Sequence, residues 1–346
     1  MPEPIRTRYR LETTFTTQGV RGTLHRLTDE EAGLRVTLAP LAGAEITSFQ
    51  LRQDNQWLEL IDRAEDFRPC DRWRGRAPWL WPAVGRSYAP AKLARALQNG
   101  EPLSEFEWAH EGRLYPMPIH GFAMNREWRV INTSVGNEGS VAEYALMDDS
   151  GSRESYPFGF LLLTTYRLAE GRLNATVRVE AAKSNRSPMP FCIGNHLTLR
   201  IPFTTVGQFD DAKVYAPVRR VHRVTPLGLP GETEELNFRE GIHLSDRRLH
   251  DLVVGYFPHQ QATVRIVDPG GIEIEIGQRE LATGRSSIPH DSLYFIFYAS
   301  PGCGFFCPEP WLGLPNWLNE RQGAVQLEPG QSFEWQMSLQ ATRRIH

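Results

Sequence analysis

The segment Leu173-Asn-Ala-Thr-Val-Arg-Val-Glu180 alternates apolar and polar residues without a break, with Leu173, Ala175, Val177 and Val179 on one side. A period of two is that of an extended chain with one face toward a core, so this stretch reads as a β-strand. The same reading applies at 34–38, 44–51, 128–132, 141–147, 161–168, 263–267, 272–276 and 332–339, with shorter candidates at 57–60 and 324–327. Leu293–Tyr298 is apolar throughout, the pattern of a strand buried on both faces. Asp268-Pro-Gly-Gly271 joins two of these segments as a hairpin turn. The 29 glycines and 25 prolines of the 346 residues supply many more turns. No internal repeat or low-complexity linker interrupts the series. The expectation is an all-β chain: a large antiparallel β-sandwich, one domain over residues 1–346 with its core at about 34–339.

Two stretches depart from this regularity. Residues 62–118 lose the period, hold Trp73, Trp79 and Trp81, and offer only Ala91–Gln98 for a helical turn or two. A long irregular section inside a compact chain is usually functional. Met189–Phe203 regains the period, Phe191, Ile193, Leu197, Leu199 and Ile201 opposing His196, Thr198 and Arg200. Pro190 and Pro202 limit it to one strand's length, and Gly194 marks a close approach to the backbone.

Charge and composition exclude several classes. With 38 Lys+Arg against 41 Asp+Glu, the net charge of −3 gives no field to hold a polyanion, so nucleic acid is not an expected partner. Arg68, Arg72, Arg74 and Arg76 cluster with the spacing of a loop. No run approaches the ~18 apolar residues of a membrane span, and the first ten residues hold no signal-like apolar stretch. Cys70, Cys192, Cys303 and Cys307 read as reduced thiols, and their spacing does not match a zinc motif. These features point to a cytoplasmic protein, monomeric or homodimeric, with no metal and no cofactor.

Chemistry-bearing residues gather at turns and strand ends. Arg86 follows Gly85, His120 lies in Pro118-Ile-His-Gly-Phe122, and His196 sits in the stretch just described. Each also has a plain reading: a surface ion-pair partner, a turn histidine, a solvated strand histidine. Glu309, in Pro308-Glu-Pro-Trp311, has a backbone restricted by its two prolines. Phe305, Phe306 and Trp311 beside it would desolvate a carboxyl and raise its pKa toward that of a useful base. The alternative is a glutamate on the rim of a proline-rich loop. Trp73, Trp79, Trp81, Trp311 and Trp317 read equally as core or as apolar platforms for a ring.

Taken together, Pro118-Ile-His-Gly-Phe-Ala-Met-Asn-Arg-Glu-Trp128, Met189-Pro-Phe-Cys-Ile-Gly-Asn-His196 and Pro308-Glu-Pro-Trp311 follow the order and approximate spacing of the aldose 1-epimerase (galactose mutarotase) family. Leu327-Glu-Pro-Gly-Gln331 is similar to that family's closing hairpin. The resemblance, running from about Leu34 to Leu339, implies a galactose-mutarotase-type β-sandwich (a supersandwich) with a sugar on a concave sheet face. It implies His196 as the acid that protonates the ring oxygen and Glu309 as the base at the anomeric hydroxyl. Arg86, His120, Asp251 and Trp311 match sugar-binding positions. The activity implied is that of an isomerase of carbohydrate metabolism, a mutarotase exchanging the α and β anomers of an aldohexose. An acid and a base, each contributing roughly 10²–10⁴-fold, suffice for that without a cofactor. A carboxylate beside His196 is expected to keep it protonated.

Two departures bear on the substrate. Many relatives carry arginine where this chain has Met124, a plausible phosphate partner, so Met124 argues against a phosphosugar unless Arg126 or the Arg72–Arg76 cluster compensates. Leu197-Thr-Leu199 replaces the Pro-Tyr-Phe that often follows the acid histidine. A hexose-6-phosphate 1-epimerase and a non-catalytic carbohydrate-binding protein are the rival readings. A glycoside hydrolase would need a second carboxylate facing Glu309, and only Asp251 is on offer. The catalytic reading requires His196 and Glu309 to face a common pocket with a sugar ring's width between them.

Overall fold

In the computed structural model, the described residues are 7–64, 66–67, 73, 75–257, 261–281, 292–299, 302, 304–320 and 323–344. The clearest alternating segments of the sequence assemble one antiparallel sheet of nine strands. At its centre Arg172–Ala181 lies between Phe160–Ala169 and Ser332–Arg343, with Ile272–Leu281 next, each carrying one buried residue in two. The register pairs Leu173 with Leu339 and Val177 with Trp335, so the apolar residues of neighbouring strands share one face. The turn at Asp268 forms as expected, its carboxylate accepting from the Gly270 and Phe203 amides.

That face packs against two further sheets. One holds five strands between Tyr9 and Glu59, and the other has eight short strands drawn from between Trp79 and Leu312. Trp79 of the eight-stranded sheet meets Trp335 of the nine-stranded one with ring centroids 5.9 Å apart, and Gln278 donates across to the Tyr294 carbonyl. One continuous apolar cluster contains residues of all three sheets. The architecture is the expected antiparallel β-sandwich.

Several elements differ from the expectation. Tyr9–Thr16 and Gly22–Asp29 form a hairpin ahead of the first expected strand. The first of them lies at a sheet edge and exposes most of its length, so it carries no apolar stripe. The irregular section contains a hairpin, Glu107–His110 with Arg113–Pro116. Its helix runs for 10 residues, Pro90–Asn99, started by Pro90 and stopped by Gly100 in the left-handed region. Met189–Phe203 is three short strands instead of one. Met189–Phe191 pairs with Val325–Leu327, while Ile193–Asn195 and Leu199–Arg200 pair with opposite ends of Phe305–Leu312.

Candidate active site

The site is built around the strand Phe305–Leu312. Alternation puts Cys307, Glu309 and Trp311 on one face of it, and Phe306, Pro308, Pro310 and Leu312 on the other. Two prolines in the middle of a sheet leave two ladder positions without a donor. Their position explains how this is tolerated. On one side Pro308 and Pro310 face Phe297 and Phe295, and on the other the pairing breaks between Gly194–Trp311 and Leu199–Phe306. Residues 196–198 cross this gap and bond elsewhere, His196 N–H to the Pro78 carbonyl at 3.0 Å and Thr198 N–H to the Arg76 carbonyl at 2.9 Å. The break in the sheet is therefore where His196 and Glu309 meet.

Neither residue is on a rim. His196 is 6% and Glu309 2% exposed, with Nε2 3.6 Å from Oε1. Trp73 stacks on the imidazole at 4.7 Å and donates from Nε1 to Thr198 Oγ1. Trp311 Nε1 donates to Glu309 Oε2 at 3.2 Å. The indole of Trp311 occupies the space Gly194 leaves open, because a Cβ there would lie 2.6 Å from Trp311 Cδ1. Gly194 thus makes room for the tryptophan that holds Glu309.

Burial decides the electrostatics. Desolvation drives the Glu309 carboxyl well above its usual range, assisted by the charge of Asp251. It drives the His196 imidazole well below its usual value, with His120 adding to the effect. The uncharged forms of both groups are favoured, and the pair holds one proton between them. The expectation that a carboxylate neighbour would keep His196 protonated is overturned: burial outweighs the attraction.

His120 takes a left-handed backbone (φ 66°) beside Gly121, where a Cβ would lie 2.1 Å from the Trp81 carbonyl oxygen. Its Nδ1 accepts from the Gly85 N–H at 3.1 Å, which leaves the proton of the neutral ring on Nε2. Burial, and then the charge of Arg86, lower its pKa to about 4. Arg86 is half-buried, 3.4 Å from the Pro226 carbonyl and against the Phe106 ring. Asp251 is exposed on a left-handed backbone of its own (φ 50°).

Arg86, His120, His196, Asp251, Glu309 and Trp311 all line one cleft of about 400 Å³, the lower end of the size range of small-molecule sites. The structure adds Trp73, Tyr298, Ile296, Val253 and the loop from Val224 to Pro230 to its wall. Of the five tryptophans, Trp79 and Trp81 are core and Trp317 packs on Tyr294, so Trp73 and Trp311 are the two that reach the cleft. Arg76 is buried on Glu45 at 2.6 Å, and Arg126 pairs with Asp149 at 3.0 Å. Arg68, Arg72, Arg74, Cys70 and Cys303 lie outside the described residues. No helix among the described residues is long and apolar enough to cross a membrane.

The arrangement can hold a small polyhydroxylated ring over a paired acid and base. The 3.6 Å separation is less than the ring's width expected from sequence, but the chemistry asks for less than that expectation. The two reacting oxygens of a cyclic aldose share one carbon, so a pair beneath that carbon need only reach two oxygens two bonds apart.

The fold is that of galactose mutarotase-like proteins. The Slr1438 protein of Synechocystis sp. PCC 6803 superposes with a TM-score of 0.73 at 20% identity, over 96% of this chain and 99% of that one. A galactose mutarotase related enzyme from Lactobacillus acidophilus gives 0.70 at 20%, over 96% and 97%. A galactose 1-epimerase from the same species gives 0.70 at 16%, over 97% and 100%. The aldose 1-epimerase family model matches residues 24–340, and the chain belongs to that family. No curated protein matches it in sequence.

Proposed function

We propose that the protein interconverts the α and β anomers of a free aldohexose, with His196 and Glu309 as the proton-transfer pair. The observation that carries this reading is the pair itself: two buried titratable groups 3.6 Å apart at the floor of a cleft, in a chain of the aldose 1-epimerase family. Ring opening removes a proton from O1 and delivers one to O5. At rest the pair's one proton sits on Glu309. Once it has moved to His196 the groups are carboxylate and imidazolium, and the two transfers to and from the sugar leave a neutral carboxylic acid and a neutral imidazole. This is the protonation state that burial favours. Rotation about C1–C2 and the reverse transfers close the ring as the other anomer, so the pair returns to its starting state and no cofactor is consumed. Trp311 holds one carboxylate oxygen, and Trp73 fixes the plane of the imidazole. His120 Nε2–H, Arg86 and Asp251 offer donors and acceptors to the sugar hydroxyls.

A free sugar is favoured over a 6-phosphate by Met124 and by the pairing of two cations that could have offset it. Arg76 and Arg126, two of the cations available to offset Met124, are held by Glu45 and Asp149. Initial rates of mutarotation by polarimetry, over free aldohexoses and their 6-phosphates, test the choice. Acceleration of a free hexose is expected. Acceleration of the phosphates alone would move the assignment to the phosphosugar, and none at all would leave a carbohydrate-binding protein.

A further inference from the structure

Cys307 lies two residues before Glu309 on the same strand face, fully buried beneath the pair. Ligand atoms of His196, Cys307 and Glu309 all lie within 4.8 Å of one another. His196 Nδ1 is buried with no hydrogen-bond partner, and Glu309 Oε1 faces Nε2 while Oε2 is held by Trp311. The thiol's contact is a weak one, 3.7 Å from Thr198 Oγ1. No Cys-x-x-Cys or His-x-x-x-His spacing announces this set, because its members come from two segments distant in the chain.

We propose that His196, Cys307 and Glu309 form a binding site for Zn²⁺. Imidazole, thiolate and carboxylate are zinc's three protein ligand types, and three of them with a fourth position left open is a recurring zinc arrangement. A thiolate and a single carboxylate do not suit Mg²⁺ or Ca²⁺, which take mostly oxygen. Tetrahedral bonds of about 2.0–2.3 Å put ligand atoms about 3.3–3.8 Å apart. The imidazole Nε2 and the carboxylate Oε1 already have that spacing, at 3.6 Å, so Nε2 is the ligand and Nδ1 is not. The set as a whole must contract by about 1 Å from its 4.8 Å limit. His196 and Glu309 line the cleft, so the open position lies on that side. Metal binding releases two protons to solvent, one from the thiol and the one held by the His196–Glu309 pair.

The consequence rests on the function proposed above. Zinc would occupy both proton-transfer groups and so inhibit anomer exchange in competition with the sugar. The site itself is tested without any sugar, by titrating the full-length protein, freed of metal, with Co²⁺. The expected spectrum has tetrahedral d–d bands and a near-ultraviolet thiolate-to-cobalt charge-transfer band, saturating at a single equivalent and abolished by Zn²⁺. Cys307→Ser should lose the charge-transfer band, and both it and His196→Asn should bind cobalt at least about tenfold more weakly, with thermal melts to confirm that each is folded. An undiminished charge-transfer band in Cys307→Ser, or none in the unaltered protein, overturns the site. Saturating Zn²⁺ during anomer exchange should suppress the rate, with recovery on chelation. Full activity in the zinc-saturated protein overturns the inhibition. A positive cobalt spectrum in a protein without mutarotase activity upholds the site and rejects the function; the opposite pair of results does the reverse.

Discussion

Gln278 in the nine-stranded sheet and the His196–Glu309 pair at the eight-stranded sheet are buried in opposite ways. Gln278, in the nine-stranded sheet and 1% exposed, has both ends of its amide engaged, donating to the Tyr294 carbonyl and accepting from Trp335 Nε1 at 3.2 Å. In the eight-stranded sheet, His196 and Glu309 are as deeply buried but stand 3.6 Å apart, with one imidazole nitrogen unpartnered. A buried polar atom left unmatched costs about 1–3 kcal/mol. Gln278 avoids that cost, and His196 carries it where a ligand's hydroxyls would complete the network. Incomplete satisfaction at the floor of a cleft therefore marks chemistry more clearly than burial or charge alone.

The largest effects should separate the two sheets. His196→Asn or Glu309→Gln should lower kcat/KM by roughly 10²–10⁴-fold while leaving a folded protein, as read by anomer-exchange rates beside thermal melts. Glu309→Gln should also change the pH dependence of stability. The folded carboxyl is held well above its usual value, so its contribution is fully present below the unfolded pKa and is lost as pH rises through the folded one. The glutamine variant has no such loss, so its denaturation midpoint should fall less than that of the unaltered protein toward alkaline pH. On the opposite sheet, Trp335→Ala should cost about 3–5 kcal/mol of stability by emptying a packed core position. Its kcat per folded molecule should hold, as measured at low temperature after a urea titration.

Smaller changes test the links between the sheet and the site. Gly194→Ala places a methyl group 2.6 Å from Trp311 Cδ1. Overpacking there should cost about 1–3 kcal/mol and lower kcat by shifting the indole that holds Glu309. A variant with unaltered kinetics would show that the Trp311 contact is incidental. The smallest effect concerns His120, whose folded pKa of about 4 lies below its unfolded value of 6.5. The unfolded chain takes up one more proton between those values, so stability is full above the unfolded pKa and falls with pH toward the folded one. Replacing His120 by asparagine should flatten that slope in chemical-denaturation midpoints measured across the interval.

What was legible in the sequence follows the same division. Leu173–Glu180 and the Asp268 turn alternate or punctuate cleanly because one face packs and the other meets solvent, and they are a strand and a hairpin. The edge strand Tyr9–Thr16 has no such division and left no signal. In the site, separate motifs foretold Arg86, His120, His196, Asp251, Glu309 and Trp311, and the fold brings all six to one cleft. Their setting was less visible. The gap in pairing opposite Pro308 and Pro310 belongs to two strands at once, so Met189–Phe203 read as one unbroken strand. Gly194 read as a close approach to the backbone, without showing that the neighbouring strand's Trp311 is what approaches. The protonation of His196 depends on burial among residues far away in the chain, Trp73 among them, and on the charge of His120.

The most direct test is two-dimensional exchange NMR on equilibrated free aldohexoses, run with the unaltered protein, His196→Asn and Glu309→Gln at equal concentration. Exchange cross-peaks between the α and β anomeric protons should grow with the unaltered protein for at least one hexose and vanish with either variant. Equal cross-peaks from all three proteins, or none above the uncatalysed rate from the unaltered one, would contradict the assignment of the pair.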